Sequence, residues 1–116
     1  MNRDFSPSED LPMADTPVHM IVNLSEITDP ATYRTYEKGF FPLLKKHGGE
    51  FVTFDDKAET LEGEETLEGR VIIFRFPSED AARAWYADPA YQELSKHRRA
   101  GTKLKFLTLV RGMPTR

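Results

Sequence analysis

The run Arg70-Val71-Ile72-Ile73-Phe74-Arg75-Phe76 places apolar side chains at odd and even positions alike, and so does the run from Leu104 to Val110. Successive side chains of a β-strand point to opposite faces. A sheet built from these two segments therefore needs apolar cover on both sides, whereas a sheet with one wet face would alternate apolar and polar residues. Val18, Met20, Val22 and Leu24 alternate with His19, Ile21, Asn23 and Ser25, which predicts a further strand whose second side also carries an apolar residue. Glu50 to Phe54 reads as the remaining strand.

The helical segments are too few to cover both faces. Thr28-Asp29-Pro30 is a helix start, with Asp29 able to accept from free backbone N–H groups and Pro30 suited to the first turn. Tyr33, Tyr36, Phe40, Leu43 or Leu44, and His47 follow at steps of three and four, giving one aromatic and apolar side. Gly39 and Pro42 predict a kink in this helix, and Gly48-Gly49 its end. Ser78 caps a second helix that presents Ala82, Trp85 and Tyr86; Asp88-Pro89 predicts a break, with the helix resuming through Tyr91, Leu94 and Arg98. The element order βαββαβ implies an α+β, ferredoxin-like domain: a four-stranded antiparallel sheet with its helices on one face.

The other face then calls for a second copy of the chain, because a large exposed apolar patch marks an interaction surface. The residues expected at this homodimer interface are His19, Ile21 and Asn23 on the first strand and Val71, Ile73 and Arg75 on the third. Leu107 and Leu109 on the last strand are expected to join them.

Residues 1–17, with three prolines and no sustained apolar period, read as a flexible arm in which Met13 is an alternative start. The domain is expected over residues 18–112, followed by a tail at 113–116. Residues 55–69 form an acidic stretch with a tandem repeat, Glu59-Thr60-Leu61-Glu62-Gly63 and Glu65-Thr66-Leu67-Glu68-Gly69, which reads as a duplication lengthening a solvated hairpin. The net charge of -3 speaks against a nucleic-acid partner. The absence of cysteine rules out disulfides and thiol chemistry and fits a reducing compartment. No apolar run reaches the roughly 20 residues needed to span a bilayer. A cytoplasmic protein without a membrane partner is expected.

Two readings compete for the aromatic helix faces: the filling of a small core, or a cleft between helices and sheet for a small organic ligand. In the second, Tyr33, Phe40, Trp85, Tyr86 and Arg98 contact the ligand, and His47 and Tyr36 are the candidate catalytic pair, an imidazole being able to act as a base near neutral pH. His47 has a structural alternative as a helix cap, and His19 shares the candidacy as base. Arg70, Arg75 and Arg98 can grip an anion by their forked geometry; the structural alternative is ion pairing, for instance Arg75 with Asp55. The basic run Lys96-His97-Arg98-Arg99 reads as a solvated helix end. The sequence contains no HExxH, calcium-loop or phosphate-loop pattern, and no metal or cofactor is expected.

Several of these residues recur as an ordered set: Thr28-Asp29-Pro30, Tyr33, Tyr36, His47-Gly48-Gly49, Leu61-Glu62-Gly63, Phe76-Pro77-Ser78, Ala82, Trp85-Tyr86, Pro89, Tyr91-Gln92 and Arg98. In that order the set resembles the DUF1330 family of the dimeric α+β barrel superfamily, from about Val18 to Gly112. The resemblance implies a ferredoxin-like protomer and a barrel formed across the dimer. It implies no settled activity; the superfamily includes monooxygenases, isomerases and haem proteins. The lengthened hairpin and Arg75, where an acid is common, depart from the pattern. The function expected is small-molecule binding by a homodimer, with or without cofactor-independent proton transfer or oxygenation. The alternative is a non-catalytic stress or regulatory interaction module.

Overall fold

A computed structural model describes residues 16–113. The expected arm therefore lies outside the described residues except for Thr16 and Pro17, as does the tail beyond Met113. The elements are β1 (Val18–Ile27), α1 (Pro30–Lys46), β2 (Glu50–Asp55), β3 (Arg70–Phe76), α2 (Glu79–Ala87), α3 (Pro89–Gly101) and β4 (Thr102–Arg111). The strands form one antiparallel sheet in the order β2-β3-β1-β4, the ferredoxin-like α+β arrangement.

Local chemistry sets the helix ends as the sequence leads one to expect. Asp29 Oδ1 accepts from the Thr32 backbone N–H at 3.3 Å, Ser78 Oγ from Ala81 at 3.1 Å, and Asp88 Oδ1 from Ala90 at 2.9 Å. Asp88 is extended, with ψ 122°, which separates α2 from α3. Gly48, at φ 77°, closes α1 in the left-handed region.

The expected kink does not interrupt α1, which runs through Gly39 and Pro42. Pro42 forgoes a bond to the carbonyl of Lys38, and both residues face solvent, where water can take the missing donor's place. Gly39 has a different role: a Cβ there would lie 2.7 Å from Leu94 Cδ1, so the missing side chain lets α3 approach α1 closely.

Val18, Met20, Val22 and Leu24 face the helices, opposite Phe76, Phe74, Ile72 and Arg70 of β3. Trp85 sits at zero exposure among Tyr91, Phe74 and Phe76, with ring centroids 4.1, 5.3 and 5.4 Å away. Such aromatic pairs contribute about 0.5–1.5 kcal/mol each beyond their buried area.

Register shifts break the simple alternation in β2 and along the β1–β4 pair. In β2, Phe51 opposes Phe74 and Thr53 opposes Ile73, so Val52 is the extra residue and Phe51 and Phe54 both turn to the helix side. In β4, Phe106 opposes Asn23 while Leu104 opposes Leu24, leaving Lys105 extra. The expected placement of Leu107 and Leu109 on the open face is thereby corrected. They oppose Val22 and Met20 and pack against the helix-side core. Phe106, Thr108 and Val110 take the open face instead, beside Ile21, Val71 and Ile73.

The polar residues expected on the open face are largely engaged within the chain. Asn23 is 1% exposed, and its Nδ2 donates to the carbonyls of Glu68 at 2.9 Å and Arg70 at 3.1 Å, tying down the return end of the β2–β3 hairpin. Arg75 pairs with Glu50 at 2.7 Å, not with Asp55. The register decides this, since Glu50 is the residue opposite Arg75 and Asp55 opposes Val71.

Candidate functional site

Between α1 and the β1–β3–β2 side of the sheet lies a cavity of about 500 Å3. Its floor is Val22, Leu24, Ile72 and Phe74; Tyr33, Tyr36 and Phe40 of α1 form one wall. Phe41, Phe51 and Phe54 form the outer edge, an aromatic chain with centroid spacings of 5.4 and 6.3 Å. The β2 bulge is what turns the last two toward the cavity together. The lining is mostly apolar, with a few convergent polar groups, the usual make-up of a small-molecule site.

Arg70 stands at the mouth. Its Nε and Nη2 donate to the two carboxylate oxygens of Asp56 at 2.7 and 3.0 Å, its Nη1 donates to Glu37 at 3.2 Å, and its guanidinium lies 4.4 Å from the Phe54 ring centroid. The hydrogen bond from Arg70 holds the Asp56 carboxyl below its ordinary range and, in return, raises the guanidinium's own affinity for its proton. This arginine is committed to fastening the start of the acidic hairpin to α1.

Deeper in, the Tyr36 and Tyr91 hydroxyls share a hydrogen bond of 2.8 Å. Burial, with the Tyr91 hydroxyl beside it, pushes the Tyr36 phenol well above its ordinary range. At neutral pH Tyr36 is thus a hydrogen-bonding hydroxyl and not a phenolate base. Tyr33 is raised as well, first by burial and then by the Glu37 carboxylate.

Arg98 is 3% exposed, and its Nε and Nη1 meet no hydrogen-bond partner. Its Cζ lies 5.8 Å from the Tyr36 ring centroid. The side chain borders both this cavity and a second one, of about 560 Å3, between α2, α3 and β4.

Of the residues singled out from sequence, Tyr33, Tyr36, Phe40 and Arg98 come together around the first cavity. Trp85 is sealed in the core, and Tyr86 lines the second cavity with Arg83 and Arg99. His47 is apart from both. It caps α1, and its Nε2 donates to Asp88 Oδ2 at 2.8 Å, an oxygen that Lys46 also reaches at 2.9 Å. These two contacts hold the Asp88 carboxyl far below its ordinary range, so His47 fastens α1 to the α2–α3 break and is not brought to Tyr36. His19 is half-buried on the open face of the sheet.

Sequence reasoning missed Phe51, Phe54, Ile72, Arg34, Glu37 and Lys38 as cavity residues. The three-residue spacing of Phe51 and Phe54, out of step with a regular strand, was the one available signal. Among the described residues, no group of three or more His, Asp or Glu side chains is placed to hold a metal ion, and no helix is long and apolar enough to cross a membrane.

Residues 17–113 match the family described as "Domain of unknown function (DUF1330)". No curated protein matches the chain. Among solved structures, RPA0582, a protein of unknown function from Rhodopseudomonas palustris, is similar at 24% identity and TM-score 0.67, over 88% of this chain and 85% of that one. SnoaB, a cofactor-independent oxygenase from Streptomyces nogalater, is similar at 18% identity and TM-score 0.59, over 86% and 96%. The Arabidopsis thaliana protein At3g17210 is similar at 14% identity and TM-score 0.58, over 87% and 96%. At these identities the likeness is one of fold.

Proposed function

The chain belongs to the DUF1330 family, and from that premise we propose that it is a homodimeric domain that binds a small, largely apolar organic molecule between α1 and the sheet. The observation that carries this reading is the cavity of about 500 Å3, whose aromatic and aliphatic lining is interrupted by Arg98 and the Tyr33 and Tyr36 side chains. A domain of this size has every incentive to close such a space, since an unfilled apolar volume forgoes packing energy. The unit proposed to fold and pair is residues 18–112.

Pairing is supported by the open sheet face. Ile21, Val71, Ile73 and Phe106 are only half-buried there and Val110 is 42% exposed, on a face with no helix of its own. A second copy supplies the same apolar surface in return, as a two-fold interface requires.

A catalytic version of this reading draws on SnoaB, whose description is that of an oxygenase without a cofactor. In this chain such chemistry would fall to Tyr33, Tyr36 and Glu37, the protic groups at the cavity, and not to His47. Native mass spectrometry of freshly purified protein tests the binding reading through any retained small molecule. Ile72→Trp, which fills the cavity floor, is expected to abolish the retained mass and the uptake of an apolar fluorescent probe. Unchanged uptake in that variant would reject the cavity as the site.

A further inference from the structure

We propose that the molecule taken up by this cavity is an organic carboxylate, its head group received by Arg98 and its apolar body lying against Phe40, Phe51, Phe54 and Ile72. The inference rests on the binding reading above and adds the chemical class.

A buried guanidinium remains charged, and an unpaired charge away from water is costly. Four other arginines among the described residues are paired: Arg70 carries Asp56 and Glu37, Arg75 carries Glu50, and Arg83 and Arg111 share Glu79. Arg98 is buried more deeply than any of these, yet no described carboxylate pairs with it, and its Nε and Nη1 have no partner at all. The polar groups nearest to it are the Tyr36 and Tyr91 hydroxyls, which bond each other and also accept from the guanidinium, but neither brings the negative charge that would balance it. The Tyr36 ring beneath it offsets only part of the desolvation.

The surrounding charge points the same way. The cavity is lined by Arg34, Lys38, Arg70 and Arg98 against one carboxylate, Glu37, in a chain whose net charge is -3. Arg70 is neutralised within the chain, while Arg34 and Lys38 pair with no carboxylate among the described residues. A cleft of one sign with apolar walls concentrates the oppositely charged ligand. A carboxylate is the anion that fits: its two oxygens match the fork of a guanidinium, and its single charge balances the single buried cation. A phosphate dianion would leave excess charge in an apolar space.

Isothermal titration calorimetry of the full chain with a naphthoate and the matching neutral naphthamide separates the two levels of the argument. Wild type is expected to prefer the naphthoate by on the order of tenfold to a hundredfold, the range for a hydrogen bond to a charged group. Arg98→Met should erase the preference, bringing naphthoate affinity down to that of naphthamide, and Arg98→Lys, which keeps the charge but not the fork, should keep part of it. Equal wild-type affinity for the two probes, or a preference that survives in Arg98→Met, would overturn the carboxylate assignment and leave the cavity reading standing. Binding of neither probe to folded protein would remove both. The wild-type comparison decides the matter even if a variant does not fold.

Discussion

Asn23 supplies the sharpest test of how the cavity edge is held. Its Nδ2 is the only side-chain donor to both Glu68 O and Arg70 O among the described residues, at 2.9 and 3.1 Å, and the residue is 1% exposed. A neutral hydrogen bond contributes about 0.5–1.5 kcal/mol net, so Asn23→Ala should cost about 1–3 kcal/mol. Asn23→Asp has nearly the same shape but reverses the chemistry. A carboxylate there faces two carbonyl acceptors, and the Arg70 guanidinium, engaged by Asp56 on the other side of the sheet, does not compensate it. An uncompensated buried charge costs about 3–5 kcal/mol. Burial raises the introduced carboxyl's pKa in the folded state above its unfolded value of about 3.9; at 1.36 kcal/mol per unit, a 3 kcal/mol penalty corresponds to a rise of about two units. The folded variant therefore binds its proton more tightly, and the stability missing at pH 7 returns as pH falls from about 6 toward 4. Urea unfolding followed by Trp85 fluorescence at pH 7 and 4.5, at one protein concentration, reads both variants. Asn23→Asp as stable as wild type at pH 7, or no recovery on acidification relative to Asn23→Ala, would refute the reasoning.

Ile73→Glu places a charge at the centre of the open sheet face, and light scattering should fall from about twice the chain mass to one chain; a dimer that persists would move the interface elsewhere. Asp88 offers a pH test. Its carboxyl is held low by His47 first and Lys46 second, so its contribution is fully present above the unfolded carboxyl pKa of about 3.9 and is lost as pH falls through the depressed folded value. Asp88→Asn keeps the cap on Ala90, so its melting temperature should lie below wild type at pH 7 and converge with it in strong acid. A gap independent of pH would mean that the ion pair contributes nothing.

The alternation of the first strand, the two runs that are apolar on both sides, the three Asp or Ser caps and the Asp88-Pro89 break were legible in sequence because each depends on neighbours within four residues. The open face was legible as far as Ile21, Val71 and Ile73, which lie on strands paired without a shift between them. Leu107 and Leu109 were misplaced because one extra residue, Lys105, reverses the alternation, and nothing in the local pattern of β4 marks it. The aromatic helix faces divided in the same way: spacing shows that Tyr36 and Trp85 face inward, but not that one borders a cavity while the other is sealed.

The sequence by itself determined the order of elements, their ends, and the need for apolar cover on both faces of the sheet, since these follow from periodicity and capping. Tertiary structure alone decided that the bulge at Val52 turns Phe51 and Phe54 to one cavity, that His47 is taken up by Asp88, 41 positions away, and that Arg98 is buried with its Nε and Nη1 unmet. Partners of charged and bulged residues are chosen by register and by the approach of distant elements, and neither is written in any short stretch of chain.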